Sequence, residues 1–406
     1  MINLEIPARL RASTNQAHQV AVEFLRPHSR TYDRAEHEYP RQLDLLASVV
    51  DGLNDSGHSS GAGATGVRRG PDPGTAEVRN GSHLSSVLSI MEMCWGDVGL
   101  LLSMPRQGLG NSAIASLADA DQLERFKDVW AAMAITEAGC GSDSAAITTT
   151  ARRDGDAYVI NGEKIYVTAG ERSDAVVVWA TLDRSLGRAA IKSFVVEKGT
   201  PGMVVERVED KLGIRSSDTA TISFTDCRVP KQNLLGDPDV DPRAGFGGFG
   251  GVMATFDNTR PLVAAMAVGC ARAALEAIRE LLTQAGIEVD YDRLSALQPA
   301  AAATFLAMEA DWEAAYLLTL QAAWLADNGR PNSLQASMAK AKAGRVGNAI
   351  TLRCVELAGS VGYSEHDLLE KWARDSKILD IFEGTQQIQQ LIVARRLLGL
   401  SSAELT

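Results

Sequence analysis

The chain has 406 residues, 45% hydrophobic and 22% charged, with a formal net charge of −11 and a mean hydropathy of −0.06. That is enough apolar material for two or three domains around a large core, which excludes a disordered chain, and the acidic surplus argues against nucleic acid or an anionic membrane as the main partner. No apolar run reaches spanning length (the best, Pro261 to Ala271, stops at Arg272), Met1 to Gln16 lacks the apolar core of a secretory signal, and five scattered cysteines without a C-x-x-C pair suit reduced thiols, so a cytoplasmic protein without a membrane span is expected.

Residues 1–129 read as a mainly helical N-terminal domain, with helical apolar spacing over Leu84 to Leu102. Asn54 to His83 interrupts it with Gly, Ser, Asn, Asp and Pro, the composition of a long polar loop (54–83). Over 130–240 the period changes, and a small central β domain of antiparallel hairpins is expected. Asp154-Gly155 and Asn161-Gly162 signal tight turns, with Tyr158 and Ile160 before the second and Ile165 and Val167 after it. Further strands are expected at Ala175 to Ala180, Lys192 to Glu197 and Thr219 to Phe224.

Residues 241–406 return to helix, over Arg260 to Leu282, Pro299 to Ala326, Ser333 to Leu357 and Gln386 to Leu398. Apolar, alanine-rich helices of this kind pack as a bundle. Asn258 or Thr259 would cap the first of them. Gly245 to Gly250 satisfies G-x-G-x-x-G, but a Pro-containing loop precedes it and helix follows. It reads as an interdomain loop, not a nicotinamide site.

Three segments carry candidate chemistry. In Ile381-Phe382-Glu383-Gly384-Thr385 a carboxylate sits beside two large apolar residues. Desolvation there would raise its pKa and make it a stronger base. Gly384 permits close approach, and Thr385 can cap the helix that follows. An acidic residue ahead of a helix cap is the plain alternative. In Ile135 to Asp143, Gly139 and Gly141 would let backbone N–H groups reach a planar or phosphorylated ligand, with the hydroxyls of Thr136 and Ser142 to orient it. An ordinary glycine turn is the alternative. In Lys164 to Gly170, alternation puts Tyr166 and Thr168 on one face and Ile165 and Val167 on the other. A ring and a hydroxyl side by side can cover a flat ligand or simply face solvent. The six histidines show no metal-ligand spacing.

Together with Phe256 to Arg260 and Arg374 to Gln389, these segments resemble the acyl-CoA dehydrogenase family, in the family's order. The resemblance covers most of the chain from about Leu84 onward. It implies a mostly α protein: an N-terminal helical domain, a central β domain and a C-terminal four-helix bundle, binding FAD and an acyl-CoA thioester. By resemblance Glu383 would take the α-proton while a β-hydride passes to flavin N5, leaving a trans-2-enoyl-CoA. The cofactor residues would be Ile135, Thr136, Gly141, Tyr166 and Thr168 around the flavin ring, with Thr385 and Gln387 near the adenosine half. Ser142, Asp257, Arg260, Phe382 and Gly384 would meet the substrate. An electron-transfer flavoprotein is the implied electron acceptor.

The departures are informative. Ala138, Cys140, Tyr166, Ala169 and Phe382 stand where the family pattern has proline, alanine, tryptophan, asparagine and tyrosine. The family's R-x-x-F-G motif is missing over Leu282 to Glu288, and Glu356 replaces a glutamine. In family homo-oligomers both elements reach a neighbour's FAD, and an added carboxylate repels a pyrophosphate. A hetero-oligomer, in which another chain completes the flavin site, is therefore expected over a homo-oligomer. An acyl-CoA oxidase of the same fold is a further alternative.

Overall fold

The computed structural model of the chain describes residues 6–47, 81–105, 109–240 and 249–400 with Glu404, giving the backbone alone for Arg9 and 249–258. Most of the polar stretch expected over 54–83 and the glycine-rich segment from Gly245 to Gly248 lie outside those residues.

Helix α1 (Ala8–Val20) continues through a π turn (Ala21–Leu25) into α2 (Arg26–Arg34). Ser82 and His83, assigned to the loop by composition, open α3 (Ser82–Gly96) instead. The helix expected over 84–102 is broken at Asp97, which is extended and accepts a hydrogen bond from Leu100 N at 2.7 Å, capping α4 (Val98–Ser103). Helices α5 (Leu109–Leu117) and α6 (Ala120–Arg125) lead into the sheet.

The strands are β1 (Ala131–Ala134), β2 (Thr150–Asp154), β3 (Ala157–Thr168), β4 (Ala175–Thr181), β5 (Ile191–Glu197), β6 (Met203–Val208), β7 (Thr219–Pro230) and β8 (Leu234–Leu235). They pair in the order β6-β7-β3-β2-β4-β5-β8, with β1 beside β4. Most pairings are antiparallel, whereas β1 and a single residue of β2 run parallel to β4. Asp154-Gly155 makes the expected hairpin between β2 and β3. Asn161-Gly162 does not turn the chain: β3 runs straight through it, with a register irregularity between Ile160 and Gly162. A glycine inside a strand more often marks a bulge than a reversal when the flanking residues keep a partner strand, here β7. A second irregularity lies between Lys164 and Val167, so strict alternation fails there. Lys164 and Val167 are both buried, while Tyr166 is 64% exposed.

The C-terminal region comprises α7 (Phe249–Gln284), α8 (Ala300–Asp327), α9 (Ser333–Ala358), α10 (Leu369–Ser376) and α11 (Gln386–Leu398). Helix α7 begins well before the expected cap at Asn258 or Thr259 and passes through Pro261. Thr259 does not cap it, because its side chain is hydrogen-bonded to Glu383 instead. Among the described residues α7 is the one helix long and apolar enough to cross a bilayer, and 78% of its most apolar window is buried within the fold, as in a core helix.

Among the described residues, buried side chains form three clusters. The largest joins the N-terminal helices to the C-terminal bundle through residues such as Leu25, Met91, Val268, Phe305 and Leu379. Two smaller ones cover opposite faces of the sheet, around Trp179 and around Phe194.

Candidate active site

The site is built at the junction of the three regions, beginning with Arg374 and Asp375 at the end of α10. Arg374 forks onto Asp33 of α2 (Nη2–Oδ2 2.6 Å), donates to Glu370 at 2.8 Å and to the Leu212 carbonyl at 3.1 Å. Asp375 accepts from Ile214 N at 2.5 Å and pairs with Lys371 at 2.5 Å; Lys371 also reaches Asp97 at 2.7 Å. All three members of that last cluster are buried, so each charge depends on the others for the solvation that water would have given. Gly213 closes the junction: a Cβ there would lie 2.5 Å from the Arg374 carbonyl. One helix end is thereby fixed to both the N-terminal helices and the loop before β7.

Six residues beyond Lys377 the chain turns at Glu383 and Gly384. Glu383 has φ 53 and Gly384 φ 91, so a non-glycine residue is held in left-handed backbone at the corner. Several groups hold it there. Gln389, itself fully buried, donates Nε2 to the carbonyls of Glu383 (3.1 Å) and Gly384 (3.2 Å). Lys340 of α9 donates Nζ to the Gly384 carbonyl at 2.6 Å. Thr385 caps α11 as expected, accepting from Ile388 N at 3.4 Å.

Although part of the Glu383 residue reaches the surface, protein atoms crowd its carboxyl. Burial therefore pushes its pKa up, and the hydrogen bond from Thr259 and the charges of Lys340 and Arg260 hold back only part of that rise. Its Oε2 is buried and takes no hydrogen bond from the protein. Such an oxygen is a costly feature for a carboxylate with no task and a suitable one for a base awaiting a proton.

The second group of residues lies where the chain leaves β1. Glu137, 6% exposed, accepts from Thr148 N (2.7 Å), Thr148 Oγ1 (2.6 Å), Thr149 N (2.9 Å) and Lys164 Nζ (2.7 Å). Burial alone would raise its pKa, but Lys164 and the threonine donors hold it down to about 2. Lys164 also donates to the Ile135 carbonyl at 2.9 Å, and Ile165 N to the Thr136 carbonyl at 2.9 Å. The Ile135–Thr136 segment is thus fastened to the bulge of β3 that carries Tyr166. Tyr166 has φ 57, and this turns its ring outward from the bulge.

Of the residues singled out in the sequence, Ile135 and Thr136 follow β1 and are tied to β3 at Lys164 and Ile165, the strand that also carries Tyr166 and Thr168. Gly141 and Ser142 are exposed on the loop after Thr136. Phe382, Glu383, Gly384 and Thr385 form the corner, and Gln387 is exposed on the first turn of α11. Arg260 is only 2% exposed, with its charge beside Glu383 and Lys340. The Asp257 side chain lies outside the described residues.

Sequence reasoning did not single out Lys340, Gln389 or the Glu137–Lys164 pair, and it read Thr259 only as a helix cap. Lys340 had a signal: Ala336, Lys340, Ala343 and Gly347 share the buried stripe of α9, and a lysine on such a stripe demands a partner.

Whether the residues suit FAD has two answers. A Cβ added at Gly139 or Gly141 would meet nothing within 4 Å, so a flat or phosphorylated group has room beside that backbone. Thr136 and Thr168 are half-buried, and Tyr166 is exposed. This half fits. At the far end of α7 the fit is poor. A cavity of about 340 Å³ is lined by Arg279, Thr283 and Gly286 to Val289. Arg279 is engaged by Tyr291 (2.6 Å) and by Glu309 (3.7 Å), and Glu288 and Glu356 are exposed carboxylates.

Two family models match the chain: the acyl-CoA dehydrogenase middle domain over residues 132–227 and the acyl-CoA dehydrogenase C-terminal domain over 247–398. A short-chain specific acyl-CoA dehydrogenase of Bos taurus mitochondria is 41% identical over 65% of this chain, a match spanning 62% of the relative's length. The butyryl-CoA dehydrogenase of Megasphaera elsdenii superposes with a TM-score of 0.80 at 28% identity, over 98% of this chain and 100% of that one. A chain solved with the electron-transferring flavoprotein work on Acidaminococcus fermentans gives 0.79 at 30% identity, again over 98% and 100%. The chain belongs to the acyl-CoA dehydrogenase family.

Proposed function

We propose that the chain, with FAD bound, oxidises an acyl-CoA thioester to its trans-2-enoyl-CoA, with Glu383 removing the α-proton. The observation that carries this reading is the Glu383 corner: a buried carboxyl in left-handed backbone, its pKa raised by burial and its Oε2 without a donor. A proton α to a thioester is weakly acidic, so the base must be strong for a carboxylate and its position fixed. FAD supplies the acceptor for the β-hydride when bound.

Thr136 and Thr168 would orient that group through their hydroxyls, the backbone at Ile135 and Gly141 would approach it, and Tyr166 would cover it. Phe382 and Gly384 would shape the space beside the thioester, and Ser142 would meet the CoA portion. Arg260, buried against Glu383, contributes charge beside the base. Thr385 and Gln387 lie toward the adenosine half. A short acyl chain is the first substrate class to try, since the named relatives are short-chain and butyryl-CoA enzymes. An electron-transfer flavoprotein is the acceptor we propose, and the five free, buried cysteines accord with a cytoplasmic setting.

Anaerobic addition of butyryl-CoA to the FAD-loaded protein should bleach the oxidised-flavin absorbance within seconds. Flavin that stays oxidised with short, long, branched and steroidal thioesters alike would remove the proposal. Rapid reoxidation by dioxygen after bleaching would mark an oxidase instead.

A second reading concerns assembly. Exposed Glu288, with Arg279 held by Tyr291 and Glu309, leaves the α7 end unsuited to a neighbour's pyrophosphate, and Glu356 of α9 is an exposed carboxylate paired with Arg353. We therefore favour a hetero-oligomer whose other chain supplies that half-site. Chain purified alone should carry far less than one FAD per subunit, and full, tight loading would make it a homo-oligomer.

A further inference from the structure

The proposed reaction assigns nothing to Lys340, yet this buried ammonium lies against the catalytic corner. We propose that Lys340 is a positioning residue for the base: its Nζ fixes the Gly384 carbonyl, and its ammonium favours the carboxylate form of the neighbouring Glu383. The inference rests on Glu383 being the base.

The geometry comes from helix packing. Gly344, one turn along α9, lets the backbone of Leu379 and Asp380 come close; a Cβ there would lie 2.9 Å from the Leu379 carbonyl. Gln386 Nε2 donates to the Ala341 carbonyl at 3.3 Å, tying the start of α11 to the same stretch of α9. Lys340, 1% exposed, is left between those two contacts with its Nζ 2.6 Å from the Gly384 carbonyl.

The groups around it are Asp380 from the turn before the corner, Glu383 from the corner and Arg260 from α7. Asp380 is itself shared with Lys377 at 3.6 Å. Gln389 of α11 adds an uncharged amide on the same carbonyl. Burial, the largest influence, pushes the Lys340 ammonium down to about 8; Asp380 and Glu383 oppose that fall and Arg260 adds to it.

If the corner needed only packing, a methionine at 340 would serve, since an unpaired buried lysine is expensive. What a lysine adds is a charge-assisted hydrogen bond to the carbonyl next to the base, and a cation near a carboxylate whose ionised form burial disfavours. Removing that cation raises the Glu383 pKa further, so the ionised base appears only at higher pH.

The test is the pH profile of flavin reduction by butyryl-CoA, on the FAD-loaded protein in the oligomeric form in which it purifies. Lys340→Met should slow reduction about ten- to a hundredfold, as a displaced base does, and move the acid limb of kcat/KM upward in pH. Lys340→Arg keeps the charge and should return the acid limb to its original place. An acid limb unmoved in Lys340→Met, at whatever rate, overturns the proposal. Should neither variant fold, Lys340→Gln, which keeps an N–H donor without the charge, decides: an acid limb left in its original place overturns the proposal. If the unmodified flavin is not reduced at all, the underlying assignment of Glu383 falls first, and the role of Lys340 with it.

Discussion

The Glu137–Lys164 pair and the Glu383 corner both bury carboxylates, and they treat them in opposite ways. Glu137 accepts four hydrogen bonds of 2.9 Å or less, one of them from a fully buried lysine, and its pKa is held down to about 2. Glu383 has one buried oxygen without a donor, a strained backbone and a pKa that burial raises. The first arrangement fixes an anion permanently and joins two segments of chain. The second leaves a carboxylate able to take up a proton. Burial alone therefore does not identify a base; the number of donors turned toward the carboxylate does.

The comparison can be broken by substitution. The largest effect expected is on chemistry: Glu383→Gln should slow flavin reduction by butyryl-CoA by about 10²–10⁴-fold, the usual contribution of a positioned base, while FAD content stays unchanged. Next is Lys164→Met, which strands Glu137 in the interior. Breaking a buried pair on one side costs about 3–5 kcal/mol, so chemical denaturation should show a large loss of stability. The double change Glu137→Gln with Lys164→Met should cost less than Lys164→Met alone. If the double variant is the less stable of the two, the pair is not what fastens this region.

Smaller effects follow. Gln389→Ala leaves the Glu383 and Gly384 carbonyls without an amide donor and should cost about 1–3 kcal/mol, with kcat reduced more than FAD binding. Last is a difference in the sign of pH dependence. Glu137 has a folded pKa near 2 against an ordinary 4.5, so its stabilising effect is complete above the ordinary value and lost as pH falls from there toward 2. Glu383, with a raised folded pKa, does the reverse: its ionisation costs the folded state free energy at neutral pH. Glu383→Gln should therefore raise Tm slightly at pH 7 and leave it unchanged in acid, as thermal melts at both pH values would show. A lower Tm at pH 7 would contradict the environment described for Glu383.

The sequence was most legible where period and punctuation agree. The start of α11 and the hairpin at Gly155 follow directly from Thr385 and Asp154-Gly155. It misled where one residue type serves two purposes. Gly162 relieves crowding inside a strand instead of turning it, since a Cβ there would lie 2.4 Å from Thr149 Oγ1. Asp97 stops a helix that apolar spacing alone would continue. Thr259 looks like a cap and instead bonds Glu383, a partner more than a hundred residues away. Within the candidate site, the ends that would meet ligand were readable as motifs. The groups that hold them were not, because Lys340 and Gln389 act through backbone carbonyls brought close only by helix packing.

The central claim is that Glu383 removes the α-proton, and exchange into deuterated water tests it without relying on the electron acceptor. Butyryl-CoA incubated with the FAD-loaded protein should gain deuterium at the α-carbon, and with Glu383→Gln it should not. Equal exchange by the two proteins would contradict the account and place the base elsewhere.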